Sequence, residues 1–341
     1  MGHFAMSMAS SECTVVMATY NGAKYLAEQL DSLDQQTVPP ARLIVSDDGS
    51  SDDTKEILAA YAKKAAFEVT LVDGPRQGYA ENFWSAAQLA QTRYLAWADQ
   101  DDVWHPHKIE QCVQALRDFE ADFVAHPAAV VDSQLRPLGR TLPPYRSTRV
   151  LAAAEGSPFD TPPGLVCVFK RELLSEVDWA ARPLSHMHER QIGHDQAVEL
   201  IAYAFHRRVR LIESLASYRQ HASNTQGDPR VHGLARQTST ALQVSADNYA
   251  IFASRAQGYA DYIAKISNAG DAAVRAFQAA AERAQYRADI RNGKNFYVRL
   301  RSLIEATSKG TYRSRDNGGF GTPAFVNDSL TSVISGMHRA G

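Results

Sequence analysis

Residues 13–48, CTVVMATYNGAKYLAEQLDSLDQQTVPPARLIVSDD, contain a complete strand–helix–strand unit. The apolar run Cys13–Thr19 predicts a buried strand, because it is short, uncharged and contains β-branched residues. Ala23–Asp34 carries apolar residues at three- and four-residue spacing, which predicts a helix with one buried face. Two consecutive prolines then end the helical pattern, and Arg42–Ser46 predicts the next strand.

The same alternation continues to residue 98. We predict a helix over residues 52–64, a strand over 68–72, a helix over 81–91 and a strand over 94–98. Strands that alternate with helices in this way form parallel sheets with helices on both faces. The sequence therefore predicts an α/β, Rossmann-like fold with a mostly parallel central sheet.

The remainder of the chain has a less regular pattern and then a helical one. Predicted segments are strands or extended stretches at Phe123–Val131, Gly164–Phe169, Val209–Ile212 and Leu215–Gln220, a long connection over residues 140–160, and helices at His194–Phe205, residues 246–264 and residues 271–291. We expect an α/β domain over residues 12–230 and a helical C-terminal region over residues 231–341. Residues 1–11 lack the charge and apolar pattern of a signal peptide, and we expect them to be disordered or left over from cloning.

Composition excludes several classes of protein. With 22% charged residues, 45% hydrophobic residues and a formal net charge of −2, the chain has the profile of a soluble globular protein and not that of a basic nucleic-acid binder. Its apolar runs are too short for a membrane-spanning helix. Three widely spaced cysteines form neither a disulfide framework nor a zinc motif, so we expect a reducing, cytoplasmic location.

Three polar clusters follow predicted strands. They are residues 19–22 (TYNG), 47–50 (DDGS) and 99–102 (DQDD). Each one alone is also an ordinary turn or helix-cap sequence. Ligands of parallel α/β sheets bind beyond the carboxyl ends of the strands, so three clusters at one edge indicate a ligand site.

Other interpretations of these clusters do not fit the spacing. Val103 and Trp104 stand where a calcium-binding EF-hand loop would need an oxygen ligand and a glycine. The chain has neither a phosphate-binding GxxxxGK[ST] motif nor a GxGxxG after the first strand, which disfavours a P-loop nucleotidase and a dinucleotide dehydrogenase. A glycosidase needs only two carboxylates, but no further feature indicates one.

Taken in order, four motifs resemble the family 2 glycosyltransferases of the GT-A fold. They are TVVMATYNG (14–22), VSDDGSSDDT (45–54), GYAENF (78–83) and ADQDDVW (98–104). Downstream, GHDQAVELIAYAF (193–205), SLASYRQHASNTQG (214–227) and the tail fragment GTYRSRDNGGFG…FVNDSL (310–330) are similar to the branch that includes bacterial rhamnosyltransferases. The resemblance covers residues 12–227 well and the helical tail in patches.

This resemblance implies a metal-dependent transfer from a nucleotide-diphosphate sugar. The leaving diphosphate concentrates negative charge that a divalent cation can neutralise. Asp99 and Asp101 form a pair of hard oxygen ligands suited to Mg²⁺ or Mn²⁺. By resemblance, Asp101 binds the metal, Asp99 lies near the ribose or the metal, and His221 supplies a further ligand. The alternative for His221 is a histidine at the surface or the core edge.

The resemblance also implies a pocket for the nucleotide. Asp47 and Asp48 lie at the base, where one carboxylate accepts the N–H of a uracil- or thymine-like ring, and Asp48 is our choice. Gly78 and Asn82 help to close the pocket, although Asn82 is also a suitable helix cap. The remaining residues expected to line it are Thr19, Tyr20 and Asn21.

For the reaction itself, the resemblance implies Asp195 as the general base that takes the proton of the acceptor hydroxyl. His194, where the family more often has Glu, would orient Asp195 or contact the acceptor. Trp104 would form an aromatic wall for the donor or acceptor sugar, unless it packs in the core. A single displacement with one base inverts the anomeric centre.

The tail has a basic amphipathic segment. Residues 283–315 contain nine Lys and Arg against two acidic residues, and Phe296, Leu300, Leu303 and Ile304 fall on one helical face. One interpretation is an interfacial helix that binds anionic lipid at the cytoplasmic face of the inner membrane. The other is that this face packs on the catalytic domain and the arginines are solvated. The helical region is also a candidate homodimer interface.

The sequence therefore predicts an inverting glycosyltransferase that acts on a glycan or lipid-linked acceptor in bacterial surface polysaccharide synthesis, of the O-antigen or capsule type. dTDP-L-rhamnose is the first choice of donor, and a UDP-hexose or UDP-N-acetylhexosamine is the alternative, because motifs do not fix donor specificity. From another class, the chain could be a nucleotide-sugar-binding subunit without turnover.

Overall fold

The structure of the protein is a computed structural model, which describes residues 12–221, 245–293, 295–312, 324–325 and 328–329. The N-terminal residues 1–11 and the domain boundary expected at residues 230 and 231 lie outside the described residues. So do residues 222–227 of the similar segment and most of the tail fragment. The domain limits therefore stay a prediction.

The first half of the chain folds as the alternating pattern predicts. It contains β1 (Cys13–Thr19), α1 (Ala23–Asp34), β2 (Arg42–Asp47), α2 (Thr54–Ala62), β3 (Glu68–Asp73), α3 (Tyr79–Ala87) and β4 (Tyr94–Ala98). The ends of β1, α1 and β4 agree with the prediction, and the others differ by at most four residues. These four strands pair in parallel in the order β3-β2-β1-β4, which confirms the α/β fold class.

The second half adds shorter elements. They are β5 (Val103–Trp104), α4 (Lys108–Asp118), β6 (Phe123–Ala125), β7 (Ala128–Val131), β8 (Pro137–Leu142), β9 (Arg149–Leu151), β10 (Cys167–Lys170), α5 (Leu173–Glu176), α6 (His194–Phe205), β11 (Arg208–Arg210) and β12 (Ala216–Arg219). They extend the sheet to the order β3-β2-β1-β4-β10-β6-β11-β9 and form a second sheet, β5-β12-β7-β8. The added part of the main sheet is mixed, because β10 runs antiparallel to both β4 and β6.

Three predictions for this half are wrong in whole or in part. Gly164–Phe169 is not one strand, because Gly164–Val166 form a short 3-10 turn and the strand begins at Cys167. The segment Phe123–Val131 is not one strand, because the chain leaves the main sheet at Pro127, which lacks an N–H for the ladder, and enters the second sheet as β7. Residues 140–160 are not a plain connection, since β8 and β9 include part of them.

The C-terminal region is helical, as predicted. It contains α7 (Ala246–Ile266), α8 (Asp271–Asn292) and α9 (Phe296–Ser308). Tyr259, Ile263 and Phe277 are buried in the same apolar cluster as the main sheet, so α7 and α8 share one core with the α/β part. Within the part of the chain that the structure describes, every helix is too short or too polar to cross a bilayer.

The apolar face of helix α9 is only partly packed, which differs from the expectation that it packs on the catalytic domain. It packs against α8, and Ile304 is 61% exposed while Tyr297 is 80% exposed. Arg299, expected in solvent under that interpretation, is buried and donates to the Gly293 carbonyl. The expected solvation of the arginines is therefore wrong for Arg299, and Ile304 does not pack as expected.

Candidate active site

A cavity of about 1070 Å³ lies at the carboxyl ends of β1, β2 and β4. Register explains its position: Thr19 at the end of β1 pairs with Asp47 at the end of β2, and Met17 pairs with Ala98. Eleven of the thirteen site residues expected from the sequence line this cavity, namely Thr19, Tyr20, Asn21, Asp48, Gly78, Asn82, Asp99, Asp101, His194, Asp195 and His221. Asp47 and Trp104 are not among the residues that line it.

The Asp47 carboxylate is hydrogen-bonded within the turn that follows β2. Its Oδ1 accepts the amides of Gly49 and Ser50 at 3.2 and 2.8 Å, and its Oδ2 accepts the hydroxyls of Thr19 and Ser50 at 2.9 and 2.5 Å. Burial raises the pKa of this carboxyl, but the hydrogen bonds outweigh burial and the net pKa is lowered. The structure thus places Asp47 beneath the cavity as a turn residue.

Asp48 faces the cavity and holds the loop opposite. Its two oxygens accept the backbone amides of Arg76 at 2.6 Å and Gly78 at 2.8 Å. Gly78 has a φ of 91°, a conformation that favours glycine, and it begins α3 at the cavity wall. Asp48 therefore shapes this wall of the cavity through its hydrogen bonds to the loop.

Asn82, on the first turns of α3, does not cap the helix. Its side-chain amide donates to the Ser46 carbonyl at 2.9 Å and pins α3 to β2. The N-cap residue of α3 is Gly78, which has no side chain that could cap the helix. Of the two roles expected for Asn82, the structure supports the one at the cavity wall.

The turns after β1 and β4 are bonded to each other. The Tyr20 amide donates to Gln100 Oε1 at 2.9 Å, and Gln100 Nε2 donates back to the Tyr20 carbonyl at 3.1 Å. Asn21 Oδ1 accepts the Ser51 amide at 2.8 Å, which ties the same turn to the segment after β2. Three separate turns thus form one rim.

The acidic loop after β4 is fixed from below by a buried arginine. Arg219 donates through its amide to Asp102 Oδ1 at 2.9 Å and through Nε to the Asp101 carbonyl at 2.7 Å, and it also donates to Glu28. Burial, followed by the charges of Asp101 and Asp99, raises the pKa of the Asp102 carboxyl well above its usual range. Asp102 is a buried structural acid.

Asp101 and His221 meet although 120 residues separate them in the chain. His221 Nε2 lies 2.8 Å from Asp101 Oδ2, because β12 ends beside the acidic loop. Burial, followed by the charges of Asp101 and Asp195, raises the pKa of Asp99 to about 7. Three carboxylates therefore face one cavity, and the charges of Asp101 and Asp195 add to burial in opposing the ionisation of Asp99.

These residues fit a divalent cation in their chemistry. Carboxylate and imidazole are ligands that Mg²⁺ and Mn²⁺ accept. A cation would also offset the charges of Asp101 and Asp195, which add to burial in raising the pKa of Asp99. As they stand, the described residues bring no three His, Cys, Asp or Glu side chains close enough to enclose an ion.

Asp195 lies in the first turn of α6 and faces the cavity across from the acidic loop. Its Oδ2 accepts the Gly164 amide at 3.2 Å, and its Oδ1 accepts the Gln196 amide at 2.9 Å. A Cβ at Gly164 would lie 3.1 Å from the Asp195 Cβ and 3.4 Å from His194 Nε2. A side chain at residue 164 would therefore push the Asp195 Cβ aside by a few tenths of an ångström.

His194 is a neutral, packed imidazole. Its ring stacks on Phe83 with centroids 4.0 Å apart and meets the edge of Trp97 at 4.8 Å. Burial lowers its pKa to about 4, against which the Asp195 charge has a smaller, opposite effect. His194 therefore forms an apolar wall next to Asp195 and carries no positive charge at neutral pH.

Trp104 corrects one expectation. It is 2% exposed in the core, and the Lys108 ammonium lies 3.4 Å from its ring centroid. Residue 104 is in β5, which pairs with β12 and faces the interior. Trp104 therefore packs in the core, which is the alternative that the sequence left open, and it is not among the residues that line the cavity.

Several cavity residues were not among the site residues predicted from the sequence, although Tyr79, Gln100 and Tyr218 lie inside the quoted motifs. They are Lys24, Arg76, Tyr79, Gln100, Gly164 and Tyr218. Arg76 and Gln100 lie within or beside the motifs that were recognised, so their proximity was a usable signal. Gly164 sits in a connection that the chain alone does not place beside Asp195.

Comparison with known proteins finds similarity to one family of glycosyltransferases. The family model for glycosyl transferase family 2 matches residues 14–177. An uncharacterized glycosyltransferase of Nostoc sp. is 26% identical over 216 residues, covering 62% of this chain and 65% of the relative. The dTDP-rhamnosyl transferase RfbG of Shigella flexneri is 30% identical over 105 residues, covering 29% of this chain and 36% of the relative. The aligned parts thus span less than two thirds of either relative.

A solved structure shows the same fold. TarS 1–349 of S. aureus superposes with a TM-score of 0.53 at 17% identity, covering 89% of this chain and 93% of that one. Its complex with UDP-GlcNAc superposes with a TM-score of 0.51, covering 96% and 92%. The GT-A-type α/β fold is thereby confirmed, and residues 14–177 match the family model of glycosyl transferase family 2.

Proposed function

We propose that the protein is an inverting, metal-dependent glycosyltransferase that moves a sugar from a nucleoside diphosphate to a hydroxyl group. The observation that carries the proposal is the cavity in which Asp99, Asp101 and Asp195 face one another beyond the carboxyl ends of the strands. The family of residues 14–177 supports the same reaction class. A binding subunit without turnover would not need Asp195 at the cavity.

For the donor, dTDP-L-rhamnose is our first choice, supported by similarity to the rhamnosyl transferase RfbG. A UDP-hexose or UDP-N-acetylhexosamine is the alternative, supported by the likeness to TarS, which binds UDP-GlcNAc. Thr19, Asn21 and Asp48 line the part of the cavity between β1 and β2, where a base would lie.

In the proposed reaction, Asp195 accepts the proton of the acceptor hydroxyl. The oxygen of that hydroxyl attacks the anomeric carbon from the face opposite the diphosphate. The new glycosidic bond forms while the bond to the diphosphate oxygen breaks, and the diphosphate leaves with the electron pair. The Gly164 amide holds Asp195 Oδ2 in the direction of the cavity. One displacement of this kind inverts the anomeric centre.

Asp101 and His221 would hold the divalent cation, with Asp99 beside them. When bound, the cation neutralises charge on the leaving diphosphate. The residues themselves contribute a preformed acidic wall, held by Arg219 through the Asp101 carbonyl and the Asp102 carboxylate.

The acceptor we propose is a growing surface glycan or a lipid-linked oligosaccharide. Among the relatives, a putative teichuronic acid biosynthesis glycosyltransferase, TuaG of Bacillus subtilis, is 30% identical over 112 residues. Helix α9 is the proposed peripheral contact with an anionic membrane, because Tyr297 and Ile304 are exposed on it. A homodimer through the helical region is the competing use of this surface.

The experiment that tests the proposed function is calorimetric titration with dTDP-rhamnose, UDP-galactose and UDP-GlcNAc, each with and without Mn²⁺. We expect dTDP-rhamnose to bind best and only with metal. Tighter binding of a UDP-sugar would keep the reaction class and overturn the choice of donor. Absence of binding under every condition would overturn the catalytic proposal.

A further inference from the structure

The segment from residue 178 to residue 193 leads directly to Asp195, and one buried arginine organises it. Arg182 is 8% exposed and donates through Nε to the Ile192 carbonyl at 2.9 Å and through Nη1 to the Trp179 carbonyl at 2.5 Å. It therefore bonds to both ends of the segment. Ile192 lies three residues before Asp195, so this bond fixes the entry of the chain into α6.

The third contact of Arg182 is with α3, which forms the wall of the cavity beside the proposed donor site; we call this wall the donor side. Its Nη2 donates to Glu81 Oε1 at 2.6 Å, and Glu81 Oε2 accepts the Trp179 indole N–H at 2.8 Å. The indole rings of Trp179 and Trp84 stack with centroids 4.3 Å apart and planes 3° apart. The Arg182 guanidinium covers the ring of Trp179 at 3.4 Å.

These contacts join two walls of one cavity. Glu81 and Trp84 are on α3, whose residues Tyr79, Asn82 and Phe83 line the donor side. The space between the walls is tight: a Cβ at Gly193 would lie 3.0 Å from Asp195 Oδ1 and 3.6 Å from the Tyr79 ring. A small shift of either wall changes the distance between Asp195 and the donor side.

We propose that Arg182, through its ion pair with Glu81, is a positioning residue that sets the place of Asp195 relative to the donor wall. The inference rests on the proposed function, in which Asp195 is the base. Reaction rates depend steeply on this placement, and a misplacement of about 1 Å can cost roughly 100-fold. Neither Arg182 nor Glu81 is among the residues that line the cavity.

The helical region supports the other side of the segment. The Tyr262 hydroxyl on α7 donates to the Asp178 carbonyl at 3.2 Å, and the Tyr259 hydroxyl lies 3.4 Å from His186 Nδ1. The segment is therefore held between α3 and α7. Through it, the C-terminal helices support the position of the base.

The test compares Arg182→Lys, Glu81→Gln and the double variant with the wild-type full chain. Lysine keeps the charge but carries all its donors on one nitrogen, so it cannot span the three separated acceptors that the guanidinium contacts. Glutamine keeps the volume of Glu81 but not its charge. The control is Arg208→Lys, which alters another buried Arg–Glu pair, with Glu199 on α6, whose side chains are each 4% exposed. Donor affinity is measured by calorimetry, and kcat by release of the nucleoside diphosphate, per donor-binding site.

We expect kcat to fall at least tenfold in both single variants while the donor Kd stays within twofold, and the double variant to be no slower than the slower single variant. Arg208→Lys should lower the melting temperature but keep kcat per binding site. Wild-type kcat in the Arg182 and Glu81 variants would overturn the proposal, as would a parallel loss of donor binding. Loss of folding in both would also overturn it, because the pair would then serve the fold alone.

Failure of the proposed function would look different. In that case the wild-type protein itself would release no diphosphate from any donor, and this inference would fall with it. If the wild-type protein turns over and the variants match it, only the positioning role is overturned.

Discussion

Burial of a neutral imidazole beside the proposed base makes the fold sensitive to acid. His194 is 4% exposed, and burial lowers its pKa to about 4 from the 6.5 of a solvated histidine. Because the folded pKa is lowered, the unfolded chain binds the proton more readily. The stability that depends on a neutral His194 is present above pH 6.5 and is lost as the pH falls towards 4.

The size of the effect follows from these two values. At pH 5.0, the difference in proton binding between the unfolded and folded states costs about 2 kcal/mol, whereas at pH 7.5 it costs about 0.1 kcal/mol or less. His194→Phe keeps the stack on Phe83 and removes the titrating group. It also removes Nδ1, a buried atom that has no hydrogen-bond partner among the described residues.

The assay is urea unfolding of both proteins at pH 7.5 and pH 5.0, followed by tryptophan fluorescence. We expect the wild-type protein to lose about 2 kcal/mol more than His194→Phe between the two pH values. Val198→Ala, a fully buried position on the same helix, should lower stability equally at both. Equal pH dependence of the wild-type protein and His194→Phe would refute the reasoning.

Further predictions concern the reaction, the metal and the membrane. Asp195→Asn should lower kcat by roughly 10²–10⁴ while calorimetry finds the donor Kd within twofold, and an unchanged kcat would remove Asp195 as the base. Asp101→Asn should abolish the gain in donor affinity that Mn²⁺ gives the wild-type protein, and a retained gain would exclude it as a ligand. Gly164→Ala should lower kcat roughly tenfold, because its Cβ would crowd Asp195 at 3.1 Å, whereas Gly258→Ala in α7, with 4.0 Å of room, should keep kcat. Anionic vesicles should co-sediment the wild-type protein at low salt but not Ile304→Asp, and equal sedimentation of the two would remove α9 as the contact.

The elements of the first half were predictable because their signals are local. The buried run Cys13–Thr19 and the helical spacing in Ala23–Asp34 give the same bounds in sequence and structure. Residues 123–131 were mispredicted because an apolar run does not show which sheet each part joins. The interruption at Pro127 was a local signal that the pattern of hydrophobic residues obscured.

The site was predictable as an ordered set of motifs but not in its internal division of roles. Asp47 and Asp48 are adjacent and chemically identical. Only the fold shows that both oxygens of Asp47 accept hydrogen bonds within the turn after β2. Trp104 follows the acidic motif in sequence, yet β5 turns it into the core. The pair of Arg182 and Glu81 is separated by 101 residues, so no local pattern could join them.

The carboxylates around the cavity show how one residue type acquires several roles. Asp47 has both oxygens filled by hydrogen-bond donors, so its charge is already stabilised and is not available to a ligand. Asp48 receives one backbone amide on each oxygen, which leaves acceptor capacity for a base N–H. Asp99, by contrast, is buried beside Asp101 and Asp195, and burial, followed by the charges of these two carboxylates, raises its pKa to about 7. A cation bound there would lower the free energy of the folded protein, so donor, metal and stability should be thermodynamically linked.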